Sequence, residues 1–425
     1  MQLLLRSCGW KALLTFGLLA QVLAAQTALS WQQVKERFEA ANPTLKSAQL
    51  NIDESRAAEI TAYLRPNPDF TLTMDGFQPG PELGVWRPLS GVFQTPGFSY
   101  MHERAHKREL RRDSAKESTA IAESAYLDQE RSLIFNLRTA FVQTLQAKAV
   151  LENAKQNLEY WDKELGIFRQ RYQAGDLAQV DLDGLELQRA QFESDYETAL
   201  VNLRTAKIQL LMLVNDHRTP LDRFDVTGRF DLGSELQPLE EFRNVAMESR
   251  PDLKEAIQNV ELAKINHQLA VANGSTDPTF SAWFTNNGSF SNPAATRTIG
   301  GSVSIPLRIF DRNQGEKART QIDIGRNEKL RDATQAQVFS DVDSAYWTIV
   351  QAVNLLKPYK AKYVELAADR RNKVAFAYQH GGASLLDFLD AEKTYRDTNL
   401  AYVNLIGSYL TAAAQMNMAV GREVL

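Results

Sequence analysis

Small and apolar residues follow a heptad spacing over a long stretch of the chain. They recur at alternating intervals of three and four positions, at Leu137, Ala140, Thr144, Ala147, Leu151, Ala154, Leu158, Trp161, Leu165, Phe168 and Tyr172. This spacing is typical of coiled-coil packing. The helical pattern begins near His102, and a helix from there to Tyr172 would extend about 105 Å at the rise of an α-helix. The sequence therefore predicts helices far longer than those of an ordinary globular domain.

The chain contains one short stretch twice. Tyr172, Gln173, Gly175 and Asp181 recur 206 positions later as Tyr378, Gln379, Gly381 and Asp387. A return helix with an apolar seam follows each copy, in the same phase. The shared turn chemistry and phase predict an internal duplication in which residues 172–181 and 378–387 are the tips of two helical hairpins. Pro358 is expected to kink or divide the second long helix.

Four segments between the helical patterns alternate with a period of two. In the first of them Phe70, Leu72 and Met74 alternate with polar residues, as in a half-buried strand. The predicted strands cover about 68–77 and 88–100 in the first half, and about 277–290 and 297–309 in the second. The first repeat then spans residues 26–217, an irregular linker spans 218–248, and the second repeat spans 249–425.

Four strands in one chain are too few to close a barrel, which needs about eight strands before its interior holds side chains. Open sheet edges are not viable in lipid. If these strands span a membrane, several copies of the chain must share one barrel. Strands of about ten residues with one apolar face and one Ser/Thr face suit an outer-membrane barrel. A small soluble sheet capping a helical bundle is the alternative.

The first 25 residues have the features of an export signal. Arg6 and Lys11 precede a nearly continuous apolar run from Leu13 to Leu23, which small residues follow. We therefore expect the mature chain to begin near Gln26. The formal net charge of −4 argues against a nucleic-acid partner, for which a basic surface would be expected.

Residues His102, Glu103 and His106 fit the zinc-protease pattern, in which two His one helical turn apart bind zinc and the Glu acts as general base. The pattern falls at a strand-to-helix junction, however, and the equivalent segment of the second half, 312–316, contains no His. No third His follows at short spacing. We therefore expect no metal site here, no cofactor and no enzymatic activity.

The residues of the second tip carry a family resemblance. Tyr378-Gln-His-Gly381 and Ser384-Leu-Leu-Asp-Phe-Leu-Asp-Ala-Glu392, together with the doubled plan, resemble the outer-membrane efflux protein (TolC) family. The second stretch is most similar to its heavy-metal, cobalt-zinc-cadmium-type branch. The resemblance implies a mostly α subunit of a homotrimer. Twelve strands would close one transmembrane β-barrel in the outer membrane of a Gram-negative bacterium, and the long coiled-coil helices would form a periplasmic α-barrel.

The same resemblance implies a function. Such a channel is the passive exit duct of a tripartite pump, and its tips dock onto a periplasmic adaptor (membrane fusion) protein. The adaptor couples the duct to an inner-membrane transporter, here expected to be of the resistance-nodulation-division type. The alternative is a soluble periplasmic coiled-coil scaffold or adaptor, which would share the helices but not the paired strands.

The resemblance also assigns roles at the tips. Asp387 and Asp390 lie on one helical face, at positions where family members narrow the pore with carboxylate rings. Asp181 and Tyr378 occupy positions that help to lock the closed state together with an Arg, whose place is taken here by Ala383. Gly175, Gly381 and Gly382 are expected at the tips that dock the adaptor.

These assignments compete with plainer interpretations. An Asp near a helix N-terminus is favoured by the helix dipole whether or not it lines a pore. A glycine in a tight turn is favoured wherever the backbone needs a positive φ.

Overall fold

The structure is a computed structural model that describes residues 28–81, 83–89, 91–233, 236–287 and 296–425. The export signal predicted at 1–25 lies outside these residues. The helices are α1 Trp31–Ala41, α2 Pro43–Ala62, α3 Lys107–Gln173, α4 Gln179–Leu213, α5 Leu239–Ser249, α6 Pro251–Asn273, α7 Gln314–Pro358, α8 Val364–Gln379 and α9 Leu385–Val420. The strands are β1 Asp69–Asp75, β2 Phe93–Met101, β3 Thr279–Asn287 and β4 Arg297–Ser304.

The two halves repeat one order of elements. In the first half, α1 and α2 precede β1 and β2, which lead into the hairpin of α3 and α4. In the second half, α5 and α6 precede β3 and β4, which lead into α7, α8 and α9. The linker expected to be irregular over 218–248 is therefore helical in its last part, where α5 occupies Leu239–Ser249. Proline occupies the first position of both α2 and α6, where its missing N–H is no loss. The predicted duplicated, mostly helical fold is confirmed.

The predicted heptad seam lies in the core of the first hairpin. Helix α3 has 67 residues and is about 100 Å long at 1.5 Å per residue. Its buried seam positions are Leu137, Ala140, Thr144, Ala154, Trp161, Leu165 and Phe168. The hydroxyl of Thr144 donates to the carbonyl of Ala140 at 2.8 Å, so its burial leaves no polar group unpaired. The helix starts at Lys107 and not at His102, because residues 105 and 106 adopt positive φ.

The second long helix changes pitch where proline interrupts its hydrogen bonds. Helix α7 runs as far as Pro358 and passes directly into one π-helical turn, Tyr359–Tyr363, before α8 begins. Proline cannot donate to the carbonyl four residues earlier, and π turns commonly mark such local adjustments. The division expected at Pro358 is therefore present as a change of helix type.

The four strands form one antiparallel sheet in the order β1-β2-β3-β4. Its register places Phe70 opposite Phe98, Phe98 opposite Ala282, and Phe280 opposite Val303. One face of the sheet is therefore apolar, and Ser and Thr dominate the other. We call the former the apolar face; its exposed members are Phe70, Leu72, Met74, Phe98, Phe280, Phe284, Ile299 and Val303.

A tryptophan on the Ser/Thr face is accommodated by glycines in both neighbouring strands. Trp283 pairs with Gly97 on one side and Gly300 on the other. A Cβ at Gly300 would lie 2.5 Å from the Trp283 ring, which is closer than two non-bonded carbon atoms can approach. The strand pattern is thus regular around Trp283, although a large side chain there breaks the alternation of the sequence.

The strands differ in length from those expected. β1 and β2 begin and end within one to five residues of the predicted bounds, and β4 ends at Ser304 although strand was expected to residue 309. Pro306 has no N–H to donate to a neighbouring strand, which accounts for the early end. The expected end of β3, at 288–290, lies outside the described residues. Among those residues no helix is both long enough and apolar enough to cross a membrane.

A buried arginine ties the start of the second repeat to the long helices. Arg250 is 4% exposed. It pairs with Asp252 and with Asp341 of α7, and it donates to the carbonyl of Ala419 of α9 at 3.1 Å. The linker also contributes to the core, because Val226 bridges to Leu29 and packs in the cluster that surrounds α3.

Candidate functional site

The two hairpin tips are tight turns built around glycine. Gly175 follows α3 with φ +87°, and Gly381 follows α8 with φ +76°. Glycine populates this left-handed region without the steric cost borne by other residues. Gly382 does not have positive φ; its N–H donates to the carbonyl of Ala377 at 2.7 Å, which closes the last turn of α8.

Aromatic side chains join the two hairpins just behind the tips. Phe388, on the first turn of α9, is 1% exposed. Its ring lies 5.7 Å from Trp161, 5.7 Å from Phe168 and 5.2 Å from Tyr378, measured between ring centroids. Trp161 and Phe168 belong to α3, so this aromatic cluster holds the first hairpin against the second. We call it the tip cluster.

Asp387 and Asp390 are both exposed, and each has a partner within the chain. Asp387 forms a capping box with Ser384: its carboxylate accepts from the backbone N–H and the hydroxyl of Ser384. The Ser384 hydroxyl accepts from the backbone N–H of Asp387. The two hydrogen bonds that the carboxylate accepts from Ser384 lower the pKa of Asp387. Asp390 pairs with Arg370 of α8 at 2.7 Å. At neutral pH the second tip thus presents Asp387 as a carboxylate, while the charge of Asp390 is partly balanced.

Tyr378 of the second hairpin interacts electrostatically with Asp181 and Arg171 of the first. Tyr378 is 8% exposed, and its hydroxyl has no hydrogen-bond partner among the described residues. Burial raises the pKa of Tyr378, the charge of Asp181 raises it further, and that of Arg171 lowers it. The guanidinium of Arg171 lies 6.0 Å from the Tyr378 ring centroid. Ala383 packs against the tip cluster.

A buried carboxyl lies between the hairpins, one turn beyond the tip cluster. Glu392 of α9 is 4% exposed, and one of its oxygens has no hydrogen-bond partner in the described part of the chain. Burial raises the pKa of Glu392 to about 7. The positive charge of Arg371 and a hydrogen bond with Tyr160 act in the opposite direction, and Glu164 adds to the rise.

Arg371 is held in place by aromatic rings from both hairpins. Its guanidinium carbon lies 4.5 Å from the ring centroid of Tyr160 on α3 and 3.9 Å from that of Tyr395 on α9. Such stacking is favourable because the face of an aromatic ring is electronegative. Glu164 accepts from Gln379 at 3.1 Å. A network of ionisable groups thus connects α3, α8 and α9.

Two equivalent apolar side chains project from the tips. Val180 and Leu386 occupy the first turns of α4 and α9, 206 positions apart, and are 75% and 76% exposed. Sequence reasoning missed both residues. The offset of the repeat could have identified them, because it aligns two large apolar residues at equivalent positions of the two tips. Both positions are exposed to solvent in this chain.

The His102–His106 segment does not have the geometry of a zinc protease. It precedes α3, and His106 has φ +55°, so the two His do not share a helical face. Glu103 pairs with Arg111. Across the described ranges, no group of three or more His, Cys, Asp or Glu side chains is placed to hold a metal ion.

The fold and the tips define a class of protein: an internally duplicated subunit with two long helical hairpins and a four-stranded sheet whose apolar face is exposed. A sequence profile described as "Outer membrane efflux protein" matches residues 34–215 and again 243–422. The chain belongs to this family. The predicted family is thereby confirmed, and the profile matches each half of the duplication.

Individual relatives agree with this assignment. The chain is 22% identical over 400 residues to the cobalt-zinc-cadmium resistance protein CzcC of Cupriavidus metallidurans, covering 90% of this chain and 87% of that protein. It is 22% identical over 320 residues to the outer membrane protein TolC of Escherichia coli, covering 72% of this chain and 64% of that protein.

The fold is also that of solved structures. A membrane protein from Pseudomonas aeruginosa superposes with a TM-score of 0.78 at 17% identity, over 92% of this chain and 90% of that one.

By its family, the chain is an outer-membrane efflux protein, an exit duct whose long helices extend into the periplasm. The soluble scaffold considered as the alternative is set aside by the family assignment.

Proposed function

We propose that three copies of the chain form one duct, with twelve strands closing a single β-barrel. One observation carries this proposal: a four-stranded sheet with an exposed apolar face has β1 and β4 as its two edges. Unpaired edges are costly in lipid, and four strands are too few to pair them within one chain. Joining β4 of one copy to β1 of the next satisfies both edges. The duct is passive and has no catalytic activity of its own.

The tips dock a periplasmic adaptor, which connects the duct to an inner-membrane transporter of the resistance-nodulation-division type. The turns at Gly175, Gly381 and Gly382 bring Val180 and Leu386 to the end of each hairpin. Exposed apolar side chains at the end of a helical hairpin suit burial against a helical partner. Since each chain carries both residues, a trimer presents six similar contacts.

The carboxylates of Asp387 and Asp390 form the constriction of this duct. Three copies of each place acidic groups around a narrow lumen, which favours cations and repels anions. The name of the relative CzcC assigns that protein to cobalt, zinc and cadmium resistance. A cation-selective entrance suits a cargo of that class, and we propose divalent cations as cargo for this chain.

The duct and its constriction are tested together by planar-bilayer recording. Wild-type protein is expected to form channels that prefer K⁺ over Cl⁻. Asp387→Asn/Asp390→Asn is expected to lower the ratio of K⁺ to Cl⁻ permeability towards equality, because the neutral amides remove the acidic field. The control Asp323→Asn/Asp332→Asn removes the same charge from α7, where both residues pair with neighbouring arginines, and is expected to leave the ratio unchanged. Absence of channels contradicts the duct, whereas unchanged selectivity in the first variant contradicts the constriction alone.

Asp181, Tyr378 and Arg171 form the lock of the closed state, with Arg171 supplying the positive charge that Ala383 cannot. Arg171→Ala is expected to raise the open probability of single channels, because Tyr378 loses the cation that lies 6.0 Å from its ring centroid. Arg169→Ala is the matched control, since Arg169 lies two residues earlier and pairs with Glu186 at 2.9 Å. Equal open probability in both variants would remove Arg171 from the lock.

A further inference from the structure

The apolar face of the sheet ends in a basic cleft. Phe98 and Tyr100 of β2 lie on the side of the apolar face, opposite Ala282 and Phe280, and His102 and Arg104 follow just after the strand ends. The backbone N–H of His102 still bonds to the carbonyl of Pro278 at 2.9 Å, which continues the strand pairing past Met101. A cleft of about 430 Å³ opens there, lined by Arg65, Tyr100, His102, Arg104, His106 and Arg108 among others. We call it the junction cleft.

The cleft carries positive charge that its own acids do not balance. Glu103 is paired with Arg111, Glu109 with Arg108, and the buried Lys107 with Asp277. Arg65 and Arg104 are exposed, and neither guanidinium has an ion pair within the ranges that the structure describes. The imidazoles of His102 and His106 add N–H donors in either protonation state.

The cleft is built by the fold before any ligand arrives. Ala105 and His106 adopt φ values of +58° and +55°, a conformation that costs a non-glycine residue free energy. Neighbouring contacts hold it: the backbone N–H of Arg104 donates to Asp277 at 2.9 Å, and the ammonium of Lys107 donates to the carbonyl of Ser275 at 3.0 Å. Because these contacts hold residues 105 and 106 in a costly conformation, the cleft has a fixed shape.

We propose that the junction cleft binds the phosphate of an anionic phospholipid headgroup in the periplasmic leaflet of the outer membrane. This inference rests on the proposed membrane insertion of the sheet. The acyl chains then lie along the apolar face, over Phe98 and Phe280. Tyr100 stands at the boundary, where amphipathic rings are favoured. Arg65 and Arg104 meet the phosphate oxygens through charge-assisted hydrogen bonds.

The test uses the full chain in detergent, titrated with phosphatidylglycerol or phosphatidylcholine and followed by native mass spectrometry of bound lipid. Wild type is expected to bind phosphatidylglycerol more tightly than phosphatidylcholine. Arg65→Glu/Arg104→Glu is expected to weaken phosphatidylglycerol binding at least about tenfold, since basic residues at a membrane surface each add to the attraction of anionic lipid. Arg65→Gln/Arg104→Gln is expected to give a smaller loss in the same direction.

The control Arg204→Glu/Arg218→Glu makes the same change of charge on exposed arginines of α4 and the linker, and is expected to keep wild-type lipid affinity. An equal loss in the control, or none in the cleft variants, overturns the proposal. Displacement of phosphatidylglycerol by millimolar inorganic phosphate would assign the cleft to free phosphate and overturn the lipid assignment. Bilayer recordings on the same preparations distinguish failure of the lipid site from failure of the proposed duct. If the protein forms channels but binds phosphatidylglycerol no better than phosphatidylcholine, only the lipid site is overturned.

Discussion

Replacing Phe388 by Ala is expected to destabilise the protein by about 3–5 kcal/mol, the usual cost of removing a fully buried aromatic side chain. Phe388 contacts Trp161, Phe168 and Tyr378 at once. Its loss opens a cavity that rigid helices cannot collapse around. The tip cluster is also the main apolar contact between the hairpins near the proposed constriction, so the same variant is expected to leak ions in the closed state.

Both effects are measurable on one preparation. Chemical denaturation followed by circular dichroism gives the change in the free energy of unfolding, and bilayer recording gives the leak. Phe376→Ala is the control: Phe376 is 64% exposed, precedes the same tip, and stacks only on His380 among the described aromatic rings. It is expected to change stability little. A loss as large in the control would show that the tip cluster does not hold the hairpins together.

Replacing Glu392 by Gln is expected to remove a pH dependence of stability between about pH 4.5 and 7. The folded-state pKa of Glu392 is raised to about 7 from an ordinary value of 4.5. The folded protein therefore holds this proton more tightly than the unfolded chain does. The resulting stability is fully present below pH 4.5 and is lost as the pH rises through 7, by roughly 3 kcal/mol for a shift of this size.

Groups on the neighbouring helices act on the pKa of Glu392 in both directions. Arg371 of α8 and the hydrogen bond with Tyr160 of α3 favour the carboxylate, whereas Glu164 of α3 opposes it. Because Gln stays neutral, Glu392→Gln is expected to be more stable than wild type at pH 8 and similar to it at pH 4.5.

Thermal unfolding in detergent across this range measures the difference. Glu197→Gln, at an exposed position on α4, is expected to follow the wild-type curve. An unchanged pH dependence in Glu392→Gln would mean that the pKa of Glu392 is the same in the folded and unfolded states, and would contradict the prediction.

Much of the fold could be predicted from local pattern. The heptad seam of α3, the tips and the strands depend on spacing within one or two elements, and the seam buries Leu137, Trp161 and Phe168 as expected. The duplication is visible because the two tips share residues at one constant offset of 206 positions. The C-terminal end of β4 was predicted too late, because apolar and polar residues continue to alternate up to Pro306 and beyond, whereas the strand hydrogen bonding ends at Ser304.

The site was less accessible from sequence. Arg171 meets Tyr378 across 207 positions, and Glu392 meets Tyr160 across 232. Each lies on a long helix that carries many other charged or polar residues, and the sequence pattern does not distinguish it from them. Only the packing of one hairpin on the other reveals that Glu392 is buried and that Arg371 stacks between two rings. Residues at the turns were easier to predict, because each turn contains glycine and the same short sequence motif occurs at both tips.

The two tips begin their return helices differently. Ser384 caps α9 with a reciprocal capping box, whereas Ala178 at the start of α4 offers no side-chain cap. A cap is worth about 1 kcal/mol, so α4 frays more readily than α9. In the proposed trimer, firm and soft ends would alternate around the mouth of the duct. The opening of the duct would then widen with threefold symmetry although six hairpins surround it. The uncapped N-termini of the three α4 helices would move before the capped N-termini of the three α9 helices.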